Sequence, residues 1–176
     1  MHPRAQNRLL DSLKKIASQS QVFIVTHSPY LLKKYKKDTH SLNVFSKNGL
    51  FNKVEESDAF DLFGSSSPTW GEINYYAFGV ISVEFHNELY GFVQTKAILE
   101  NEKNYFEDSF EQYLVGKGVA QDKAYVRLKK DGTTQNQTRT LPTLIRNTIH
   151  HPENTNNGFT DEDLKSSIEL LIPLAK

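Results

Sequence analysis

A chain of 176 residues with 38% hydrophobic and 11% aromatic content can bury the core of one ordinary domain or two small ones. Its 21 basic and 21 acidic side chains cancel, which argues against broad nonspecific nucleic-acid binding and leaves only a local patch for such contacts. The lack of cysteine excludes disulfides, thiolate zinc sites and cysteine nucleophiles; with no run near ~20 apolar residues and no signal-peptide pattern, the expectation is a soluble cytoplasmic protein without a membrane partner.

At the start, Pro3 suits the first turn of a helix on which Ala5, Leu9, Leu13, Ile16 and Ala17 recur at intervals of three and four, giving one apolar face. Gln21 to Thr26 carries Val22-Phe23-Ile24-Val25, a β-branched and aromatic run that predicts a strand buried on both faces, as in a parallel sheet. A helix leading into such a strand implies α/β architecture for this part. The strand would end in Thr26-His27-Ser28-Pro29, and ligands of open parallel sheets bind at the carboxyl ends of strands. Ser28 is placed to cap a short helix begun by Pro29-Tyr30-Leu31-Leu32. A structural hydrogen bond is the competing role for His27.

His2-Pro3-Arg4-Ala5-Gln6 and Thr26-His27-Ser28-Pro29-Tyr30-Leu31-Leu32 resemble the end of the nucleotide-binding domain in ABC/SMC-like AAA ATPases, where a His-Pro-x-x-Gln helix leads to a strand ending Thr-His-Ser-Pro. The resemblance implies that His27 is the switch histidine that contacts the γ-phosphate of bound ATP. The chain has no Gly-x4-Gly-Lys-[Ser/Thr] loop to cradle phosphates and no apolar strand ending in an acidic pair to hold magnesium. It therefore resembles the C-terminal portion of a longer ATPase. No cofactor is expected in this fragment by itself; ATP and Mg belong to the presumed full-length protein, with the missing N-terminal ATPase portion supplied in cis or trans.

Lys33-Lys34-Tyr35-Lys36-Lys37 reads as a solvated face, with an acidic partner or nucleic acid as the alternative. Ser41 to Ser46 alternates moderately and Lys47-Asn48-Gly49 signals a turn before Leu50 to Val54, which predicts a β-hairpin. Periodicity is then lost up to Gly64-Ser65-Ser66-Ser67. The expected division is an ATPase-remnant domain over 1–57, a linker over 58–67 and a helical domain over 68–176.

Pro68 opens a helix containing Trp70, Ile73, Tyr76 and Ala77, closed by Gly79; Ile81, Phe85, Leu89 and Phe92 mark a second. Their aromatics suit a core better than a base-stacking platform. On the second helix Glu84 and Glu88 lie one turn apart around His86 and Asn87, an incomplete ligand set that also fits a solvated face. Tyr105, Phe106, Phe110 and Tyr113-Leu114 predict a third helix stopped by Gly116 and Gly118. A short strand is expected over Ala124 to Leu128 and a polar loop from Asp131-Gly132 to Thr138. Between Lys123 and Arg146 six basic residues face a single acid, Asp131, a candidate phosphate-binding patch or an ordinary solvated hairpin. The last helix starts at a Thr160/Asp163 capping box, carries Leu164, Ile168 and Leu171, and is expected to end at Pro173.

The densest chemistry lies in Leu144-Ile145-Arg146-Asn147-Thr148-Ile149-His150-His151-Pro152. Pro142 suits a helix start, Leu141, Ile145 and Ile149 share a face, and Pro152 stops the helix after His151. Arg146 then leads the opposite face with His150 one turn on. Solvated cations at a helix C-terminus are the alternative reading. Arg146-Asn147-x-x-x-His151, with its flanking Thr140-Leu141-Pro142 and Pro152-Glu153-Asn154, resembles the Arg-(polar)-x3-His signature of HEPN-domain ribonucleases, including those joined to ABC-type ATPases in bacterial toxin and anti-phage systems. Glu84 to Gly91 resembles the opening helix of the same domains. The resemblance implies RNA as substrate, a homodimer pairing the two Arg146 helices, metal-independent cleavage, and catalytic roles for Arg146, Asn147 and His151. The expected fold class is thus α+β: an N-terminal α/β remnant of a P-loop ATPase domain, then a mainly helical HEPN-like domain.

Overall fold

A computed structural model describes residues 3–56, 60–101 and 106–176, with the side chains of 3–7 and 48 outside the description. Among the described residues the architecture is α+β: seven α-helices and two small antiparallel sheets of two strands each. None of these helices is long and apolar enough to cross a membrane. The chain forms two compact units, divided between Val80 and Ile81.

The first unit runs α1 (Pro3–Ala17), α2 (Pro29–Leu32), β1 (Asn43–Asn48), β2 (Phe51–Glu56), a 3₁₀ turn (Gly64–Ser66) and α3 (Trp70–Phe78). The expected helix at Pro3 forms, although Leu9 and Ile16 of its apolar face are exposed and the buried leucine is Leu10; His2 and the side chains of Arg4, Ala5 and Gln6 lie outside the described residues. The strand expected over Gln21–Thr26 does not form. Phe23 is 83% and Val25 94% exposed. A strand buried on both faces needs neighbours on its edges, and among the described residues the strands pair only within the two hairpins. The parallel sheet read from this segment is therefore corrected to an irregular stretch without helix or strand. The first hairpin is as expected, with strands reaching Asn48 and Phe51 and a two-residue loop at Gly49-Leu50, where Gly49 takes φ +62°. Val44 is its buried residue, while Phe45, Phe51 and Val54 stay exposed.

Residues 60–67, expected as linker, are packed into this unit; 58 and 59 lie outside the described residues. Phe60, Leu62 and Phe63 are buried, and the Phe60 ring stacks on Tyr76 with centroids 5.1 Å apart. The organiser is Glu72. Its buried carboxylate accepts hydrogen bonds from Leu62 N–H (2.9 Å), Ser67 Oγ (2.8 Å) and Thr69 N–H (2.7 Å), while Thr69 Oγ1 accepts from Glu72 N–H at 3.2 Å. That reciprocal pair is a capping box. Thr69→Ala removes one acceptor from the helix start and is expected to cost about 1 kcal/mol. Urea unfolding followed through Trp70 fluorescence checks it, with Thr69→Ser expected to match the parent and an unchanged alanine variant ruling the cap out.

The second unit runs α4 (Val83–Asn101), α5 (Glu107–Gly116), β3 (Lys123–Leu128), β4 (Thr134–Arg139), α6 (Leu141–His150) and α7 (Asp161–Ala175). Phe85, Leu89, Val93 and Ala97 recur every fourth residue on α4 and are fully buried, as are Phe110 and Leu114 of α5, Ile145 of α6, and Ile168 and Leu171 of α7, the helices on which α4 packs. Phe106 occupies the N-cap position of α5 rather than its interior, and Tyr105 lies outside the described residues. The polar run read as a loop is in fact β4, paired with β3 from Lys123↔Arg139 to Leu128↔Thr134. Thr-Gln-Asn-Gln-Thr-Arg shows no apolar alternation, so pairing with β3 sets its conformation. The Thr160/Asp163 capping box opens α7 as expected. Pro173 does not end that helix, which continues to the buried Ala175; so near a C-terminus a missing N–H forfeits one bond that packing offsets.

Candidate functional site

Helix α6 is fixed at its start by a buried acid. Glu111 of α5 accepts hydrogen bonds from the Thr140 N–H and, at 2.9 Å, from Thr140 Oγ1. Thr140 Oγ1 lies 3.2 Å from Thr143 Oγ1, which in turn meets the Tyr90 hydroxyl at 3.3 Å. Burial pushes the Tyr90 phenol up to about 12, so it stays neutral and available as a donor. Leu141, Pro142, Leu144 and Ile145 are buried, and Ile149 is half-buried. This seat determines where the next turn of α6 points.

Arg146 and Asn147 follow. The Asn147 side chain is buried; its Nδ2 donates to Glu107 Oε1 at 3.0 Å and its Oδ1 accepts from Arg146 Nη1 at 3.1 Å. Arg146 keeps 33% of its side chain exposed, with Nη1 4.0 Å from Glu107 Oε2 and Cζ 5.8 Å from the centroid of the Tyr90 ring. Glu107 Oε1 also accepts from Arg139 Nη2 at 3.2 Å; that nitrogen further meets Asp108 Oδ1 at 2.9 Å and Gln137 Oε1 at 3.0 Å. Arg139 is buried, so of the two guanidinium groups beside Glu107 only Arg146 presents substantial surface. Its remaining N–H groups suit a phosphate or carboxylate.

The two histidines diverge. His150 ends α6 on the Arg146 side, and its pKa is lowered first by partial burial, then by the positive charge of Arg146 and by His151. His151 caps the helix with a non-helical backbone (φ −124°, ψ 63°) and is exposed, its Nδ1 3.2 Å from Glu153 Oε1. A proton on Nδ1 directed at that carboxylate leaves Nε2 as the accepting nitrogen. The Glu153 carboxyl is held below its usual range, first by its own backbone N–H and then by His151. The loop that carries His151 is anchored to β3: Asn154 Nδ2 donates to the Val126 carbonyl at 2.8 Å, while Asn157 meets both backbone groups of Val126, at 2.8 and 2.9 Å.

Arg146 and Asn147 are therefore brought together, whereas among the described residues no side-chain hydrogen bond joins either histidine to Arg146. His27 lies on an exposed turn of the first unit, before α2, where Thr26 Oγ1 accepts from Ser28 N–H at 2.9 Å. Glu84 is exposed, and His86 between the two glutamates of α4 is fully buried with Nε2 2.9 Å from Ser167 Oγ. Among the described residues no three His, Asp or Glu side chains gather as a metal-binding group.

Sequence reasoning assigns no role to Glu107, Tyr90, Asn154 or Asn157, although Tyr90 and Asn154 fall in stretches that carry the resemblance. Arg139 entered it only as one charge of a basic excess. Only the run Asn154-Thr155-Asn156-Asn157 offered a signal, since such side chains bond backbone groups in turns. No family model, no curated protein and no solved structure matches the chain.

Proposed function

We propose that the second unit is a HEPN-like, metal-independent endoribonuclease domain, carried on the C-terminal part of an ABC/SMC-like AAA ATPase that serves bacterial defence or toxin activity. The observation that carries the proposal is the locked Arg146–Asn147 pair: a partly exposed guanidinium oriented by a buried amide, on the helix capped by His151. In the reaction, a ribose 2′-oxygen attacks the adjacent phosphorus and the 5′-oxygen of the next nucleotide leaves, giving a 2′,3′-cyclic phosphate. His151 Nε2 accepts the 2′-hydroxyl proton, and Arg146 stabilises the charge that builds on the phosphorane oxygens. The leaving oxygen takes a proton from solvent or from the imidazolium of a second copy in a two-fold dimer. For the first unit the proposal rests on the Thr26-His27-Ser28-Pro29 segment, with ATP and Mg held jointly with a phosphate-binding portion elsewhere in the parent protein.

A noncatalytic reading is favoured by one observation. Arg146 already faces Glu107 and His151 already faces Glu153, as in a dimerisation or partner-binding module of an ATP-driven DNA-binding or nuclease-regulating protein. Incubating the full chain with a single-stranded oligoribonucleotide in EDTA separates the two. The nuclease is expected to yield 2′,3′-cyclic phosphate ends by mass spectrometry, with an unchanged rate in EDTA. Intact RNA would leave the noncatalytic module, and 5′ fragments newly ending in a 3′-hydroxyl would overturn the 2′-oxygen transesterification.

A further inference from the structure

We infer that Glu107 is a positioning residue of this site: through Asn147 it sets the direction of the Arg146 guanidinium, and Arg139 holds Glu107 in place. Its kinetic consequence rests on the nuclease reading above; its geometric content does not.

A buried primary amide with no access to water must satisfy its oxygen and its NH2 from the protein. Asn147 is 1% exposed and has a carboxylate on one side and a guanidinium on the other. Only one orientation works. The NH2 must face Glu107 and the oxygen must face Arg146, because the flipped amide would set oxygen against carboxylate and NH2 against guanidinium. The carboxylate of Glu107 thereby selects the acceptor that Arg146 finds, and adds direct attraction through Oε2 at 4.0 Å. Glu107 itself cannot drift, since Arg139, always protonated and buried, donates to the same Oε1. The chain of contacts joins the first turn of α5, the end of β4 and the middle of α6, three elements that meet through these side chains. Asn147 takes up one of the five N–H donors of Arg146 and leaves the others for substrate.

A reacting group displaced by about 1 Å costs on the order of 100-fold in rate. Glu107→Ala in the full chain is expected to lower kcat for an oligoribonucleotide by tens-fold up to about 100-fold, with KM little changed. Asp108→Asn serves as control, because it removes the exposed carboxylate on Arg139 while leaving the Glu107–Asn147–Arg146 chain intact; its kcat should stay parental. If the alanine variant fails to fold by far-UV circular dichroism, Glu107→Gln keeps the size and one acceptor oxygen and should give an intermediate loss. The readout that does not need activity is the reaction of Arg146 with phenylglyoxal, mapped by peptide mass spectrometry. Releasing the guanidinium from one charge-assisted contact should speed labelling several-fold in Glu107→Ala or Glu107→Gln but not in Asp108→Asn. Parental kcat, or unchanged Arg146 labelling, in the folded Glu107 variant overturns the inference. If the parent itself cleaves no RNA, the nuclease reading falls and the labelling comparison alone decides the positioning role.

Discussion

Arg146→Ala and His151→Ala are each expected to abolish RNA cleavage by the complete protein, or relieve its toxicity in cells, while folding and dimerisation persist. Removing a general acid–base group costs about 10²–10⁴ in rate, and removing a group that stabilises a developing oxyanion costs about 10²–10³. Both side chains have substantial exposed surface, so neither substitution opens the core. The informative comparison is His150→Ala, expected to be milder. His150 sits in the field of Arg146, which helps hold its imidazole neutral and makes it the histidine that one-turn helix geometry favours as a base. His151 is the C-cap of α6, its N–H still bonded to the Asn147 carbonyl at 2.9 Å, and leads into a loop fixed to β3 through Asn154, with Glu153 beside its Nδ1. A base needs an oriented, accessible nitrogen, and the exposed His151 ring with Nδ1 turned to Glu153 supplies Nε2. Single-turnover rates on one oligoribonucleotide, beside size-exclusion and circular dichroism profiles, decide the assignment. A dead His150→Ala with an active His151→Ala would exchange the two roles, and parental rates in all three variants would leave the noncatalytic module.

Sequence patterning located most of the fold because most elements are governed locally. On α4 Phe85 and Leu89 belong to the expected apolar stripe and are fully buried, though the stripe runs on through Val93 rather than the expected half-buried Phe92 and Ile81 precedes the helix; Gly79 with its left-handed φ stops α3. Where a conformation depends on partners, the pattern failed in both directions. Val22-Phe23-Ile24-Val25 has every local property of a core strand but no neighbouring strand among the described residues, whereas Thr134–Arg139 has none of those properties and is a strand because β3 pairs with it. The missed capping box at Thr69 and Glu72 was legible, as Thr-x-x-Glu before an apolar stretch is its usual form.

The candidate site divides along the same line. Arg146 and Asn147 are neighbours in sequence, so their pairing was readable from adjacency. Glu107 lies 40 residues before Asn147 and Arg139 lies 32 after Glu107; nothing in their spacing announces that one carboxylate serves both. Such convergence follows from how α5, β4 and α6 pack. The basic excess between Lys123 and Arg146 is correspondingly less open than its composition implies, since Arg139 is consumed by Glu107 and Asp108.

His86 gives the largest expected effect on stability. Its ring is fully buried in α4 and its Nε2 lies 2.9 Å from Ser167 Oγ of α7; burial pulls its pKa from 6.5 down to about 4, against a smaller opposing effect of Asn87. Above pH 6.5 the imidazole is neutral in both folded and unfolded chains and the contribution is fully present. As pH falls below that value the unfolded chain takes up a proton that the folded chain refuses until about pH 4, so unfolding gains ground throughout this window and the loss levels off beneath it. At 1.36 kcal/mol per pKa unit the full effect is about 3 kcal/mol. Denaturant unfolding of the second unit at pH 7.5, 6 and 5, followed by far-UV circular dichroism because Trp70 reports on the first unit, should show this decline before most carboxylates titrate. His86→Gln is expected to be less stable at pH 7.5 through lost packing, yet to show a flatter profile between pH 6.5 and 4.5 because it has no proton to bind. A parental slope in that variant would place the acid sensitivity elsewhere, and a histidine resonance titrating near 6.5 for His86 in the folded protein would remove its cause.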